Sequence, residues 1–228
     1  MERYILNESS DLKFNLHAKL EASDVNGPGS RFVIWLQGCP FACKGCFNPH
    51  TWEFSNKNRV SVSDLACEIL FSNTDGLTIS GGEPFSQVEA LLEFLKCLHT
   101  SSGELGDKLP RGIICFTGNL IEDLDETGKE CLKYIDLLID GRYVEQLRYP
   151  SGLAGSSNQR FHFNSNPGRG EALIKKEEVL FDQAIEIHVD DDDMNLIKVT
   201  GFPSINTRWL KEQGLTIENE VFEPKNKV

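Results

Sequence analysis

Apolar positions along this chain switch between two periods in a regular way. Arg31-Phe32-Val33-Ile34-Trp35-Leu36 is a short, mostly apolar run followed by Gly38, the pattern of a strand buried on both faces. From Ser61 to Phe71 the apolar residues Val62, Leu65, Ala66, Ile69 and Leu70 recur at helical spacing, and Gly76-Leu77-Thr78-Ile79-Ser80 then reads as a second strand. Ser86 with Glu89 forms a capping-box pattern ahead of a helical stripe through Val88, Leu91, Leu92, Leu95 and Leu98. Gly112–Phe116 predicts the next strand, Glu126–Tyr134 a helix, and Ile135–Asp140 a fourth strand. Strands alternating with helices predict an α/β fold with a parallel sheet of right-handed crossovers, which places sites at the carboxyl ends of its strands. Residues 39–46, 81–84, 117–119 and 140–142 each follow a predicted strand, so one shared site is expected.

After about Tyr149 the chain turns to Gly, Ser and Asn with no helical period. Ile185–Val189 alternates apolar and polar residues, Asp190–Asp193 supplies a turn, and Asn195–Val199 follows, which predicts a β-hairpin. An acidic turn of this kind is ordinarily solvated, with cation binding as the rarer alternative. The tail Glu223–Val228 is expected to fray. Residues 1–163 are therefore read as the main unit, and 164–228 as an extension packed on it or continuing it.

Composition narrows the class. The chain has 228 residues, 39% hydrophobic and 25% charged, which suits one globular domain with a small appendage. No run of about 18 apolar residues occurs, and the polar start Met1-Glu2-Arg3-Tyr4 lacks the pattern of a secretory signal, so a soluble, cytoplasmic protein without a membrane partner is expected. Acidic residues outnumber basic ones by 35 to 23, a net charge of −12 that argues against a broad nucleic-acid-binding surface. Seven cysteines in such a chain read as metal ligands or reactive thiols rather than disulfides. Cys67, Cys97, Cys115 and Cys131 are scattered through apolar segments as small buried hydrophobes.

Cys39, Cys43 and Cys46 are different, because they are clustered as C-x3-C-x2-C just after the first strand. Thiolates are soft ligands that favour Fe–S clusters, and three of them leave one iron of a four-iron cluster open for chemistry. A structural zinc site with His50 as fourth ligand is the alternative. Gly81-Gly82-Glu83-Pro84 follows the second strand, and adjacent glycines let backbone pass close to a ligand. Alone, this would read as a tight turn.

Together the two motifs resemble the radical S-adenosylmethionine (SAM) superfamily. Asn26-Gly27-Pro28-Gly29-Ser30-Arg31, Leu36–Pro40, Cys46–Trp52, Asp140-Gly141-Arg142-Tyr143 and Gly155–Arg160 extend the resemblance to the activases of glycyl radical enzymes, and most closely to the activating proteins of the anaerobic (class III) ribonucleotide reductase. The resemblance implies a partial, open TIM-type β/α barrel of mainly parallel strands, with the predicted hairpin as its C-terminal addition. It also implies a 4Fe-4S cluster on Cys39, Cys43 and Cys46, its fourth iron chelated by SAM. Reductive cleavage of SAM then yields a 5′-deoxyadenosyl radical that abstracts a hydrogen atom. In that superfamily the turn corresponding to Gly81, Gly82, Glu83 and Pro84 contacts the methionyl amine.

Thr117 and Gly118 are candidates for lining the adenosyl pocket. Asp140 is read either as a SAM-binding carboxylate or as a turn cap. Asn158, Gln159 and Arg160 either meet a partner's loop or cap their own sheet edge, and Arg31 is either functional or a solvated strand end. The implied partners are a glycyl radical protein, the anaerobic ribonucleotide reductase, and a reduced flavodoxin-type electron donor. A small-molecule substrate, as in deazapurine synthesis, a peptide substrate, and a non-catalytic Fe–S or zinc adaptor are the alternatives. Residues 164–228 lie beyond the compact reductase activases and have no assigned chemistry.

Overall fold

The computed structural model describes residues 12–56, 58–105, 112–148, 152–164, 174, 176–179, 185–189, 197–201, 215–218 and 221–224. Its first strand, β1 (Lys13–Ser23), pairs antiparallel with β2 (Arg31–Leu36) and with the short β3 (Arg59–Ser61). The helix α1 (Val62–Phe71), strand β4 (Gly76–Gly81), helix α2 (Val88–Leu105), strand β5 (Ile113–Phe116), helix α3 (Glu126–Cys131) and strand β6 (Leu137–Asp140) follow as predicted, with ends moved by a few residues. A last strand of this sheet, β7 (Arg160–Phe163), pairs antiparallel with β6.

The sheet order is β3-β1-β2-β4-β5-β6-β7. β2, β4, β5 and β6 run parallel, so the expected parallel α/β sheet is present at the centre, but its flanks are antiparallel. The sheet is open, with β3 and β7 as its edges. The antiparallel strands went unpredicted, although Phe14, Leu16, Ala18 and Leu20 alternate with polar residues as a half-buried strand should.

Local chemistry explains the helix starts. Ser61 Oγ accepts from Asp64 N at 3.3 Å as the N-cap of α1, and Asp125 Oδ1 accepts from Gly128 N at 2.7 Å at the start of α3. Ahead of α2 the chain differs from the expected capping box. A 3-10 turn over Pro84–Gln87 comes first, and the Glu83 carboxylate accepts from Phe85 N at 2.9 Å.

Two apolar layers cover the sheet. Phe32, Ile34, Leu36, Leu77, Ile79, Ile113, Cys115 and Leu138 face the helices, where Leu65, Ile69, Leu91, Phe94 and Leu95 complete the main core. Each such fully buried aliphatic or aromatic side chain is worth about 1.5–3 kcal/mol. Ile114, Leu137 and Ile139 alternate onto the other face, where they meet Leu153, Ile174 and Val179. The four scattered cysteines divide: Cys115 and Cys131 are buried, whereas Cys67 and Cys97 are only partly so.

Arg31 is not a solvated strand end. It is fully buried and donates to Thr78 Oγ1 at 3.1 Å, Leu77 O at 2.5 Å and Gly112 O at 2.9 Å, sewing together the starts of the central strands. Burial lowers its pKa to about 10, against the opposing pull of Asp136 and Asp75.

The expected hairpin is present as β8 (Ile185–Val189) and β9 (Ile197–Gly201), which pair antiparallel. It belongs to a second sheet of order β10-β11-β9-β8, with β10 (Leu215–Glu218) and β11 (Val221–Pro224). The acidic run Asp190–Asp193, Phe202-Pro203 and the tail 225–228 lie outside the described residues. Among the described residues no helix is long and apolar enough to cross a membrane.

Candidate active site

The cysteine loop hangs from the end of β2 on a hydrogen-bonded stem. Gly38 N donates to Thr51 O at 2.7 Å and Cys39 N to Trp52 O at 3.1 Å, while Gln37 Nε2 donates to His50 O and Glu53 O at 3.1 and 2.7 Å. Within the loop Cys46 N donates to Cys43 O at 3.1 Å, and Asn48 N to Cys46 Sγ at 3.3 Å. The stem fixes both ends of the loop.

The end of β4 passes directly against that stem. Gly82 N donates to Leu36 O at 2.7 Å and Glu83 N to Gly38 O at 2.8 Å. A Cβ on Gly81 would lie 2.3 Å from Leu36 N, and one on Gly82 would lie 2.4 Å from Gly38 O. The two glycines are therefore required by the approach of one backbone to another, a packing role beside the ligand role proposed from sequence.

Glu83 then ties this loop to the next. Its buried carboxylate accepts from Thr117 Oγ1 at 2.9 Å and Gly118 N at 2.8 Å, besides Phe85 N. Burial pushes its pKa up, and the bonds from Phe85, Gly118, Thr117 and Asn119 pull it back.

Cys39, Cys43, Cys46, Gly81, Gly82, Glu83, Thr117 and Gly118 all line one cavity. Pro84 lies just outside it, buried at the first position of the 3-10 turn. Asp140 is not in its lining either. The Asp140 side chain, wholly buried, accepts from Ile121 N at 2.9 Å and from the Arg160 guanidinium, whose Nε lies 2.8 Å away, while His162 Nε2 approaches at 3.1 Å without hydrogen-bond alignment. Burial works to raise the Asp140 pKa, but Arg160, the Ile121 amide and His162 outweigh it and hold the carboxyl below its usual range. Arg160 also bonds both oxygens of Glu122 at 2.7 Å.

It is Gly141, Arg142 and Tyr143, just after Asp140, that line the cavity. The Arg142 guanidinium lies 4.4 Å over the Phe41 ring, and Tyr143 meets Phe47 edge-on at 5.2 Å. Gln159 lines it too, with Oε1 accepting from Gly155 N at 2.8 Å and Nε2 donating to Gly141 O at 3.0 Å, while Asn158 Nδ2 donates to Arg142 O at 2.9 Å. This polar cluster thus braces its own sheet edge. His50 is exposed and does not line the cavity.

Trp35, Ser80 and Thr200 are lining residues that sequence reasoning did not select, and Asn26, singled out only as the start of the Asn26–Arg31 motif, joins them. Trp35 and Ser80 were within reach of the period-2 pattern, since they share the inner face with Val33 and Thr78. Thr200 had no local signal.

The donor set fits an iron–sulfur cluster. Three thiols share one cavity, and thiolates are soft ligands that favour Fe–S clusters. Burial pushes the Cys39 and Cys46 thiols up, opposed at Cys39 by backbone bonds at Phe41 and Ala42, and at Cys46 by bonds at Asn48 and Trp52.

Comparison with known proteins agrees with this geometry. Residues 25–162 match the family described as a 4Fe-4S single cluster domain. The chain is 34% identical over 158 residues to the anaerobic ribonucleoside-triphosphate reductase-activating protein of Vibrio cholerae, covering 65% of this chain and 97% of that protein. The chain belongs to this family of radical SAM activases. Other activases show the same relation: the Haemophilus influenzae reductase-activating protein is 35% identical over 60% of this chain and 90% of its own length. The pyruvate formate-lyase-activating enzyme of Staphylococcus aureus is 38% identical over 42% of this chain and 45% of its own length. As a family member the chain is an enzyme whose cofactors are a 4Fe-4S cluster and SAM.

Proposed function

We propose that this activase removes the α-hydrogen of a backbone glycine in an anaerobic ribonucleotide reductase, converting that partner to its glycyl radical form. The observation that carries the reading is the single cavity shared by Cys39, Cys43, Cys46 and the Gly81-Gly82-Glu83 turn, in a chain that spans almost all of a reductase-activating relative. When bound, the cluster and SAM would supply hydrogen-atom abstraction, drawing one electron from an external reductant and giving 5′-deoxyadenosine and methionine as products.

The chain's own residues bind, orient and exclude water. Cys39, Cys43 and Cys46 would hold the cluster, Gly81, Gly82 and Glu83, on the turn that Pro84 fixes, would bind the methionyl part of SAM, and Thr117 and Gly118 its adenosyl part. Asp140 acts by holding the strand end from which Gly141 and Arg142 reach the cavity. A flavodoxin-type protein is the proposed electron donor, and the cytoplasm the proposed location. We read the open sheet as a partial barrel within residues 1–163, with 164–228 as an addition to the same body.

The test is anaerobic incubation of the reduced, cluster-loaded protein with SAM and the anaerobic reductase, followed by electron paramagnetic resonance. A glycyl radical signal should appear along with 5′-deoxyadenosine, and Cys43→Ala should lose both. SAM cleavage without any glycyl radical would sink the reading.

A further inference from the structure

Beneath the chemistry of the cavity mouth lie two buried polar residues with no role assigned so far. Asn26 sits in the connection from β1 to β2, and Thr200 lies in β9, 174 positions later. They are 8% and 5% exposed, and both line the cavity that holds the cluster cysteines. Asn26 O accepts from Thr78 Oγ1 at 2.8 Å, and Thr78 stands three residues ahead of Gly81 on β4. At the rise of a strand Thr78 lies about 10 Å from Gly81 along β4, which places Asn26 and its partner toward the starts of the central strands, on the cavity floor.

The floor is built, not incidental. Asn26 Nδ2 donates to Ser23 Oγ and to Thr200 Oγ1, each at 2.8 Å. The segment that carries Thr200 is anchored beside it, since Asp24 N donates to Glu186 Oε1 of β8 at 2.6 Å. Ile174 and Val179 fill the inner sheet face against Ile114, Leu137 and Ile139, and Leu153 N donates to Val179 O at 3.3 Å. Thr200 Oγ1 accepts one bond, and among the described residues its own proton has no acceptor. A hydroxyl proton buried to this extent on a residue that lines a cavity is a donor available to an occupant.

We propose that Thr200 is a specificity-determining residue, contributed by the segment outside the 4Fe-4S family match, whose hydroxyl donates to a backbone carbonyl of the glycine-bearing segment of the partner. The inference rests on the glycyl radical reading above. A segment around a glycine presents only peptide N–H and C=O groups near the carbon that reacts, so a floor that recognises it must offer hydrogen-bonding groups rather than a side-chain pocket. Thr200 does so at a fixed depth, which sets how far the segment enters.

The experiment uses the full chain, loaded with cluster and SAM, and the anaerobic ribonucleoside-triphosphate reductase as probe. Thr200→Val keeps shape and removes the hydroxyl; it should raise the KM for the reductase about tenfold, the scale of one hydrogen bond. It should also lower the glycyl radical formed per 5′-deoxyadenosine released. Thr200→Ser should restore both. Should the valine variant fail to fold, T200A carries the same test. Wild-type KM and coupling in a folded variant without the hydroxyl would overturn the inference, as would a serine variant no better than valine. A wild-type enzyme that cleaves SAM but never forms the glycyl radical overturns the underlying reading, and the inference with it.

Discussion

Asp140 illustrates how a residue beside a site can serve it without entering it. Its carboxylate is wholly buried, and Arg160, 40% exposed, bridges it to Glu122. Breaking a buried ion pair costs about 3–5 kcal/mol, but the exposure of Arg160 reduces the expected cost of Asp140→Asn to about 1–3 kcal/mol. The pH dependence has a defined sign. Because the folded carboxyl titrates below its ordinary value, its contribution is present above the unfolded pKa of about 4 and is lost as pH falls through the folded pKa. Glu122, held at about 2 by Arg160, titrates in the same direction. Thermal melts of the wild type should therefore fall below pH of about 4, and the Asn variant should show a flatter profile. An identical acid profile in the variant would remove Asp140 from that account.

At the scale of elements, the site depends on two strand ends brought into backbone contact, the end of β2 with its cysteine stem and the end of β4 with its two glycines. Gly82→Ala puts a methyl 2.4 Å from Gly38 O, where only backbone could yield. The expected cost is about 1–3 kcal/mol of stability, as for overpacking elsewhere, together with weakened SAM binding measured by equilibrium titration. Unchanged melting and affinity would show that the two strand ends separate freely. This contact was half legible beforehand. Clustered cysteines and paired glycines announce themselves locally, as do the buried central strands with their continuous apolar runs. Glu83 was singled out with its turn, but its bonds to Thr117 and Gly118 were not, because a carboxylate's partners 34 and 35 residues away leave no trace in spacing. The outer strands differ in this respect: β1 carries a clear period-2 signal, Phe14, Leu16, Ala18 and Leu20 against Asn15, His17, Lys19 and Glu21, that the sequence reading passed over, whereas β7 has only four residues.

For the molecule as a whole, the described residues after Asn164 add to the packing of the main sheet. Ile174 and Val179 cover an apolar face that Ile114, Leu137, Ile139 and Leu153 would otherwise expose. A chain ended after Phe163 has about the extent of its short relatives, yet it should bind a hydrophobic dye and melt well below the intact protein; retention of the full melting temperature would contradict this packing. The long reach of the Asn26–Thr200 bond has a temporal consequence. Contacts of high sequence separation are made late, because the chain between them must first be ordered. During synthesis the cysteine stem can form once Trp52 has emerged, and the glycine turn some 30 residues after that. The floor must wait for β9. A newly made chain can thus close the cysteine stem and the glycine turn before the Asn26–Thr200 bond forms beneath them.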